Sequence, residues 1–349
     1  MAVTLSDIAE AVGVRKSTVS IVLNNRPNRV KISDRTRRRI FEAAERLGYQ
    51  PNAAAKALST KRTGHVGFIL SDRVTDGLVN LYYGAIFRGI EHACRQRGYG
   101  LNVSLYNLSS VDSFIIPPKV GQRAVDGLIL TGYVEAAVVA RFREFDIPCV
   151  CIGDNVEVAE LVPTIACDVV DGLCQAVRHA AELGHRRAIL CHEPTRRSRE
   201  VADLVVQRCA GDPVASRCRL DILEPSAGRC DYDAAACVLE HWLAAPPEER
   251  ATVIFASDQT QVAMLGLLGA RGLMCPRDVS LISSGDTRLS EFANPPLTAV
   301  HTDLEQLGRV ALDMLVDHLE GGGDLTPRMS KNDYPCRLIV RSSCASHSR

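Results

Sequence analysis

VTLSDIAEAVGVRKSTVSIVLNN, residues 3–25, reads as two short helices parted by a glycine turn. Thr4 stands three residues before Asp7, the spacing of a capping box, and Leu5, Ile8, Ala9 and Val12 then recur at i, i+3, i+4 and i+7. Gly13 and Val14 break that face. In the second run Val19, Val22 and Leu23 are the apolar positions, while Lys16, Ser17, Thr18 and Ser20 point elsewhere. The second helix therefore offers a small, polar, basic face. Two helices crossed about a glycine turn, the second free to lie in a groove, make a helix-turn-helix.

Working outward, NRPNRVK (25–31) is a turn-rich basic connection. Ser33 caps a third helix whose apolar members are Ile40, Ala43, Ala44 and Leu47, closed by Gly48. Pro51 and Asn52 restart a helix, but Ala53 to Ser59 spans only about two turns, too few bonds to offset nucleation. This segment is expected to order only on DNA. Residues 1–63 carry thirteen Lys and Arg against five Asp and Glu, a surplus of eight positive charges that the rest of the chain cancels, since both signs total 41. A basic head on an acidic body suits phosphate binding.

From Gly64 the texture changes. HVGFIL, VDGLILTG, PCVCIG, RRAILCHE, TVIFASD and DVSLISSG are unbroken apolar runs of the kind that form parallel strands covered on both faces, and helical patterns such as Tyr83–Arg97 and Gly172–Leu183 lie between them. That is a doubly wound α/β body. With 349 residues and 46% hydrophobic content the chain can fill more than one core. No stretch reaches the roughly eighteen apolar residues of a membrane span and no signal-peptide core opens the chain, so a cytoplasmic protein is expected.

The 3–25 stretch, followed by ISDRTRRRIFEAAERLGYQPNAAAKALSTKRTGHVGFIL (32–70), resembles the lactose and purine repressor family of bacterial transcription regulators. The match runs continuously through the third helix, a Gly-Tyr-x-Pro-Asn junction, an Ala-rich hinge and the first core strand. The resemblance implies a small all-α helix-turn-helix head (1–50), a hinge helix and linker (51–63) and a two-lobed α/β body with parallel sheets like the periplasmic sugar-binding proteins (64–342). A polar tail (343–349) follows. It places the first lobe at 64–163 plus 290–322 and the second at 164–289 plus 323–342. It also implies a homodimer on a palindromic double-stranded DNA operator, controlled by a small-molecule effector such as a sugar or sugar derivative, without a cofactor.

Carried over position by position, Lys16, Ser17 and Ile21 read base edges. Lysine can donate to guanine, serine serves either base type, and Ile21 offers only apolar contact, for example to a thymine methyl. Thr4, Thr18, Ser20, Asn24, Ser33 and Thr36 match phosphate-bonding positions, although Thr4 and Ser33 would cap helices in any protein. Leu58 matches a leucine wedged into the minor groove, which bends the duplex at the cost of unstacking. In the cleft the candidates are Tyr82, Tyr83, Asp154, Arg199, Ser257, Asp258 and Asp286. The sequence departs from the family pattern at Arg15, where a serine usually caps the recognition helix, and at Ala202 and Asp203, which replace a Gly and an aromatic after Arg199. Gly153 and Gly285 stand where acids are common, and Cys230 where a Trp can stack. Two alternatives follow: a small-molecule binding protein without a DNA role, or a regulator whose effector site has degenerated.

Thirteen cysteines, an odd number without a CxxC pair, argue against a disulfide framework or a tetrahedral zinc site. Most lie in apolar runs and read as small buried hydrophobes, with a redox sensor left open. GxSxG, P-loop and GxGxxG motifs are absent, Cys191, His192 and Glu193 are adjacent on a strand end and cannot all face one metal, and His185 reads as structural. An enzyme is the poorest reading.

Overall fold

A computed structural model of the chain describes residues 3–23, 32–50, 57, 62–74, 76–225, 231–330 and 334–347; Asn24, Leu58 and Cys230 lie outside them. Three helices build the head: α1 (Leu5–Val12), α2 (Lys16–Leu23) and α3 (Asp34–Leu47). Thr4 caps α1, its N–H and hydroxyl both donating to Asp7 Oδ2 at 2.7 and 2.9 Å. Those bonds hold the Asp7 carboxyl below the usual carboxylate range. Gly13 ends α1 at φ 71°, the left-handed backbone that glycine adopts without a Cβ penalty. Ile8, Val12, Val19, Val22 and Ile40 then meet in one small core. Arg39, though exposed, donates to the Val12 carbonyl at 2.9 Å and ties α3 to the end of α1.

The chain divides into two compact units, Met1–Thr63 and Gly64–Arg349. The second contains two six-stranded sheets. The first sheet has the order β11-β5-β4-β3-β1-β2 and is parallel throughout, with β1 His65–Ser71, β2 Gly100–Tyr106, β3 Gly127–Thr131, β4 Cys149–Ile152, β5 Thr164–Ile165 and β11 Met329–Ser330. The second has the order β12-β10-β9-β8-β6-β7, with β6 Arg187–Cys191, β7 Arg219–Leu223, β8 Val253–Ala256, β9 Ser280–Ser283, β10 Thr298–His301 and an antiparallel edge, β12 Arg337–Ile339. Six of these strands are the apolar runs of the sequence. β2 and β7 do not stand out in the sequence because each is an edge strand with exposed or half-exposed positions, such as Arg219 and Asp221, in place of a continuous apolar run.

Strand membership moves the lobe boundaries from those expected. β5 still belongs to the first sheet, β10 to the second and β11 to the first, so the chain crosses near 166–168, at 302–303 and between β11 and β12. The helix Leu304–Leu319 then packs on the first lobe against the helix Leu81–Arg97. Residues 290–301 are therefore second-lobe, and 323–330 first-lobe.

The end of the chain is no detached polar tail. Ser343 is fully buried and accepts from the Thr298 N–H at 2.8 Å, and the His347 N–H donates to the Leu183 carbonyl at 2.7 Å. His185 anchors the same segment: Nδ1 lies 2.8 Å from Thr252 Oγ1, and Nε2 lies 3.1 Å from the Ala345 carbonyl. Burial, with His347 alongside, pushes its pKa down from 6.5 to about 4. A depressed folded-state pKa means that the unfolded chain binds the proton more readily. The stabilisation is thus whole above about pH 6.5 and lost as pH falls towards 4, by at most about 3 kcal/mol. Melting midpoints should fall across that window, and His185→Gln should flatten the fall; an unchanged slope would refute the assignment.

Candidate DNA-binding face and inter-lobe cleft

Within the head, α2 buries Val19 and Val22 and leaves Lys16 and Ser17 exposed, with Thr18, Ser20 and Ile21 half-buried. The helix contains no acidic residue. At its N-terminus the Thr18 and Val19 N–H groups both donate to the Arg15 carbonyl at 2.9 and 3.2 Å. Arg15 thus stands at the cap position, with its side chain exposed. The supporting polar residues are pre-set: Ser33 accepts from the Thr36 N–H at 3.3 Å, and the two hydroxyls are 2.9 Å apart.

In the body, parallel sheets place ligand-facing residues beyond the carboxyl ends of their strands, where the strand order reverses. The second position after a strand is used four times: Tyr133 after β3, Asp154 after β4, Glu193 after β6 and Asp258 after β8. Two pairs close the cleft from opposite sides. The Tyr133 hydroxyl donates to Glu193 Oε2 at 2.9 Å, and Arg197, in the first turn of the helix Arg196–Ala210, donates to Asp154. Loss of water around it and the nearby Glu193 carboxylate push the Tyr83 pKa up to about 12, and the same causes raise that of Tyr133. Tyr82 packs edge-on to Tyr83 with ring centroids 5.0 Å apart. It is 39% exposed, yet its pKa is raised by desolvation first and then by Cys167, Tyr83, Cys336 and Glu193.

The other expected residues are placed differently. Arg199 pairs with Asp203 one turn along its own helix, with half its side chain in solvent. Two residues along an α-helix turn the side chain by about 200°, so Arg199 faces away from the side that Arg197 presents to Asp154. Asp258 is buried, accepting from the Thr287 N–H at 3.0 Å and from its hydroxyl, and Ser257 caps the helix Asp258–Ala270. Asp286 accepts from both arms of Arg341, at 2.8 and 3.2 Å, and its Oδ2 lies 2.9 Å from His301 Nδ1. Tyr82, Tyr83 and Asp154 thus gather in the cleft, joined by Tyr133, Glu193 and Arg197, which the sequence alone did not single out. The signal for Tyr133 and Glu193 was the recurring second position after an apolar run, which Arg197, in the first turn of a helix, does not share. Among the described residues no group of three or more metal-ligating side chains converges, and no helix is long and apolar enough to cross a membrane.

Arg197→Ala removes the guanidinium that faces Asp154 from the other lobe. The expected result is a melting midpoint lower by about 3 °C and faster amide exchange at 153–156, because a partly screened pair of this kind contributes about 1 kcal/mol. Arg199→Ala should change neither, and equal effects would contradict the placement of the two arginines.

Residues 4–52 match the family described as bacterial regulatory proteins, lacI family, and residues 177–344 match the periplasmic binding protein-like domain. The HTH-type transcriptional regulator CelR of Thermobifida fusca is 30% identical over 346 residues, covering 97% of this chain and 96% of that protein. A structure of the Lac repressor dimer bound to operator and the anti-inducer ONPF superposes with a TM-score of 0.78 at 22% identity, covering 99% of this chain and 100% of that one. A CelR–cellobiose complex gives 0.66 at 25% identity, covering 98% and 99%. With a helix-turn-helix head, a two-lobed body and a relative of this identity along nearly its whole length, the chain belongs to the lacI family of bacterial regulatory proteins and is a DNA-binding transcriptional regulator.

Proposed function

We propose that the protein is a repressor which binds a palindromic operator as a homodimer and responds to a small molecule held between the lobes. One observation carries the DNA-binding half of this reading: α2 commits its apolar edge to the head core and leaves a continuous edge, Lys16, Ser17, Ser20 and Ile21, unburied or half-buried. In this reading Lys16, Ser17 and Ile21 face base edges. Thr4, Thr18, Ser20, Asn24, Ser33 and Thr36 hold phosphates, and Leu58 in the 51–63 hinge enters the minor groove. A single small head makes too few base contacts for a genome, which favours two on a two-fold site. The protein acts in the cytoplasm and catalyses no reaction.

The sugar bound by CelR makes a sugar-type effector the first class to try. A ligand changes DNA affinity only by its difference in affinity for the open and closed lobes. A second reading has its own observation: Arg197–Asp154 and Tyr133–Glu193 already bridge the lobes, and Asp258 and Asp286 already have partners. In that reading the cleft is held closed by the chain's own side chains. A thermal-shift screen of sugars, sugar phosphates and sugar acids separates the two, since a ligand at a hundred times its dissociation constant adds about 2.7 kcal/mol.

Selection of binding sites from random duplex DNA by the full-length protein, at one stated salt concentration, tests the DNA reading. Enrichment of a palindrome with a flexible pyrimidine-purine step at its centre is the expected result. Failure to enrich any motif, alone and with a cell-extract metabolite pool, would remove it.

A further inference from the structure

Two helices of the second lobe bring a pair of thiols into contact. In the helix Val169–Glu182 the buried face includes Leu173, Ala176 and Val177, and Cys174 stands at its margin, half-buried. In the helix Arg196–Ala210 the buried stripe is Ala202, Val205 and Cys209, at i, i+3 and i+7, and Cys209 is 3% exposed. The last turn of the helix Arg196–Ala210 lies over the start of the helix Val169–Glu182. Arg208 Nη1 stands 3.9 Å from Asp168 Oδ2, and Asp168 caps its own helix by accepting from the Asp171 N–H at 2.9 Å. At that junction Cys209 Sγ donates to Cys174 Sγ across 3.6 Å. A disulfide needs about 2.05 Å, so the sulfurs must approach by about 1.5 Å. A thiol is a weak donor and packs as a small hydrophobe would, so what sets this pair apart is its redox chemistry.

We propose that Cys174 and Cys209 are a redox-modification site, a reversible disulfide that a peroxide-class oxidant closes between these two helices. Exposure and the direction of the hydrogen bond divide the roles. Cys174 is the sulfur that solvent reaches and the one that accepts, so it is the attacking thiolate; Cys209 is buried behind it and resolves. The accepted bond also holds the Cys174 pKa below the ordinary thiol value, against the opposing loss of water. The thiolate attacks one peroxide oxygen, the O–O bond breaks, and the hydroxide that leaves takes up a proton as water, with a sulfenic acid left on Cys174. Cys209 then attacks that sulfur, the S–O bond breaks, and hydroxide leaves with the Cys209 thiol proton as a second water. Two electrons pass from the thiols to the peroxide, and a dithiol reductant returns them. The link pins the last turn of the helix Arg196–Ala210, whose first turn carries Arg197, onto the helix Val169–Glu182. Oxidation therefore stiffens the element that reaches Asp154 in the cleft.

The test treats the full-length protein with a small molar excess of hydrogen peroxide at pH 7. Of its thirteen thiols, two should disappear on titration in denaturant and return with dithiothreitol, with peptide mapping joining Cys174 to Cys209. A link between any other pair in place of this one would overturn the proposal, as would loss of no thiols. Cys209→Ala, which keeps the buried position apolar, should stop at a Cys174 sulfenic acid trapped by a cyclic diketone. Cys174→Ala should lose no thiol at the same dose, and a sulfenic acid on Cys209 would reverse the roles and refute their assignment. The peptide map of the unsubstituted protein decides the site even where a variant fails to fold. In the linked protein amide exchange at 170–176 and 205–211 should slow by about tenfold. Unchanged exchange would refute the stiffening. Neither readout uses DNA or an effector, so failure of the operator selection or of the ligand screen does not affect them.

Discussion

Gly308→Val is expected to lower the melting midpoint of the body by about 6 to 12 °C, and Gly89→Val by a comparable amount, measured calorimetrically on the full-length protein. The helices Leu81–Arg97 and Leu304–Leu319 meet backbone to backbone at these two residues. A Cβ on Gly308 would fall inside 3.0 Å of the Ile86 carbonyl oxygen, and one on Gly89 would do the same to the Glu305 carbonyl. Backbone atoms cannot rotate away as a side-chain tip can, so the helices must separate. Ile86, Ile90, Leu307, Ala311 and Leu315, all buried between them and the first sheet, would then be pulled apart. Overpacking of this kind costs typically 1–3 kcal/mol, and a clash with rigid backbone belongs at the upper end or beyond. Gly266→Ala supplies the contrast. Gly266 also lies inside a helix, but a Cβ there meets nothing within 4 Å. Only helix propensity then acts, which favours alanine by about 1 kcal/mol. Opposite signs at Gly308 and Gly266 are the expected result; stabilisation at both would mean that the two helices can move apart freely.

This close approach explains what the sequence disclosed and what it withheld. Local patterns were legible because their causes are local. The Thr4–Asp7 cap, the Gly13 and Gly48 stops and the six apolar strands each follow from neighbouring residues. The lobe boundaries were not, because β5, β10 and β11 are short strands of two to four residues whose allegiance is set by pairing with distant partners. The partners of the two arginines were hidden for a similar reason: Arg197 meets Asp154 and Arg199 meets Asp203. Alignment to a family motif chose Arg199, two positions from Arg197, and two positions on a helix exchange one side for nearly the opposite one. Asp258 and Asp286 were sound choices of residue type at strand ends. Their engagement with Thr287, Arg341 and His301 depends on chain far from the apolar runs that marked those strands.

Lys16→Ala is expected to relax preference at one base pair in each half-site of the selected operator, at about 1–3 kcal/mol per half-site and so roughly 2–6 kcal/mol for a two-headed dimer. Lys16 is the first residue of α2, exposed, and on a helix without an acid to compete for its ammonium group. Its removal should leave the head folded, since the core of Ile8, Val12, Val19, Val22 and Ile40 does not include it. A base-reading lysine and a phosphate-holding one then differ in two measurable ways. Without a base-reading group, discrimination flattens at that group's own position. Without a phosphate-holding group, every sequence is bound more weakly alike and the salt slope falls by about one. Ser33→Ala provides the control within the same domain, because its hydroxyl caps α3 and its removal should act through stability and phosphate registry, about 1 kcal/mol, without altering the preferred sequence. Binding measured on the selected duplex and on its single-base variants, at two salt concentrations, decides the role. Uniform weakening on Lys16→Ala would move Lys16 to the phosphates and leave Ser17 and Ile21 to read the groove.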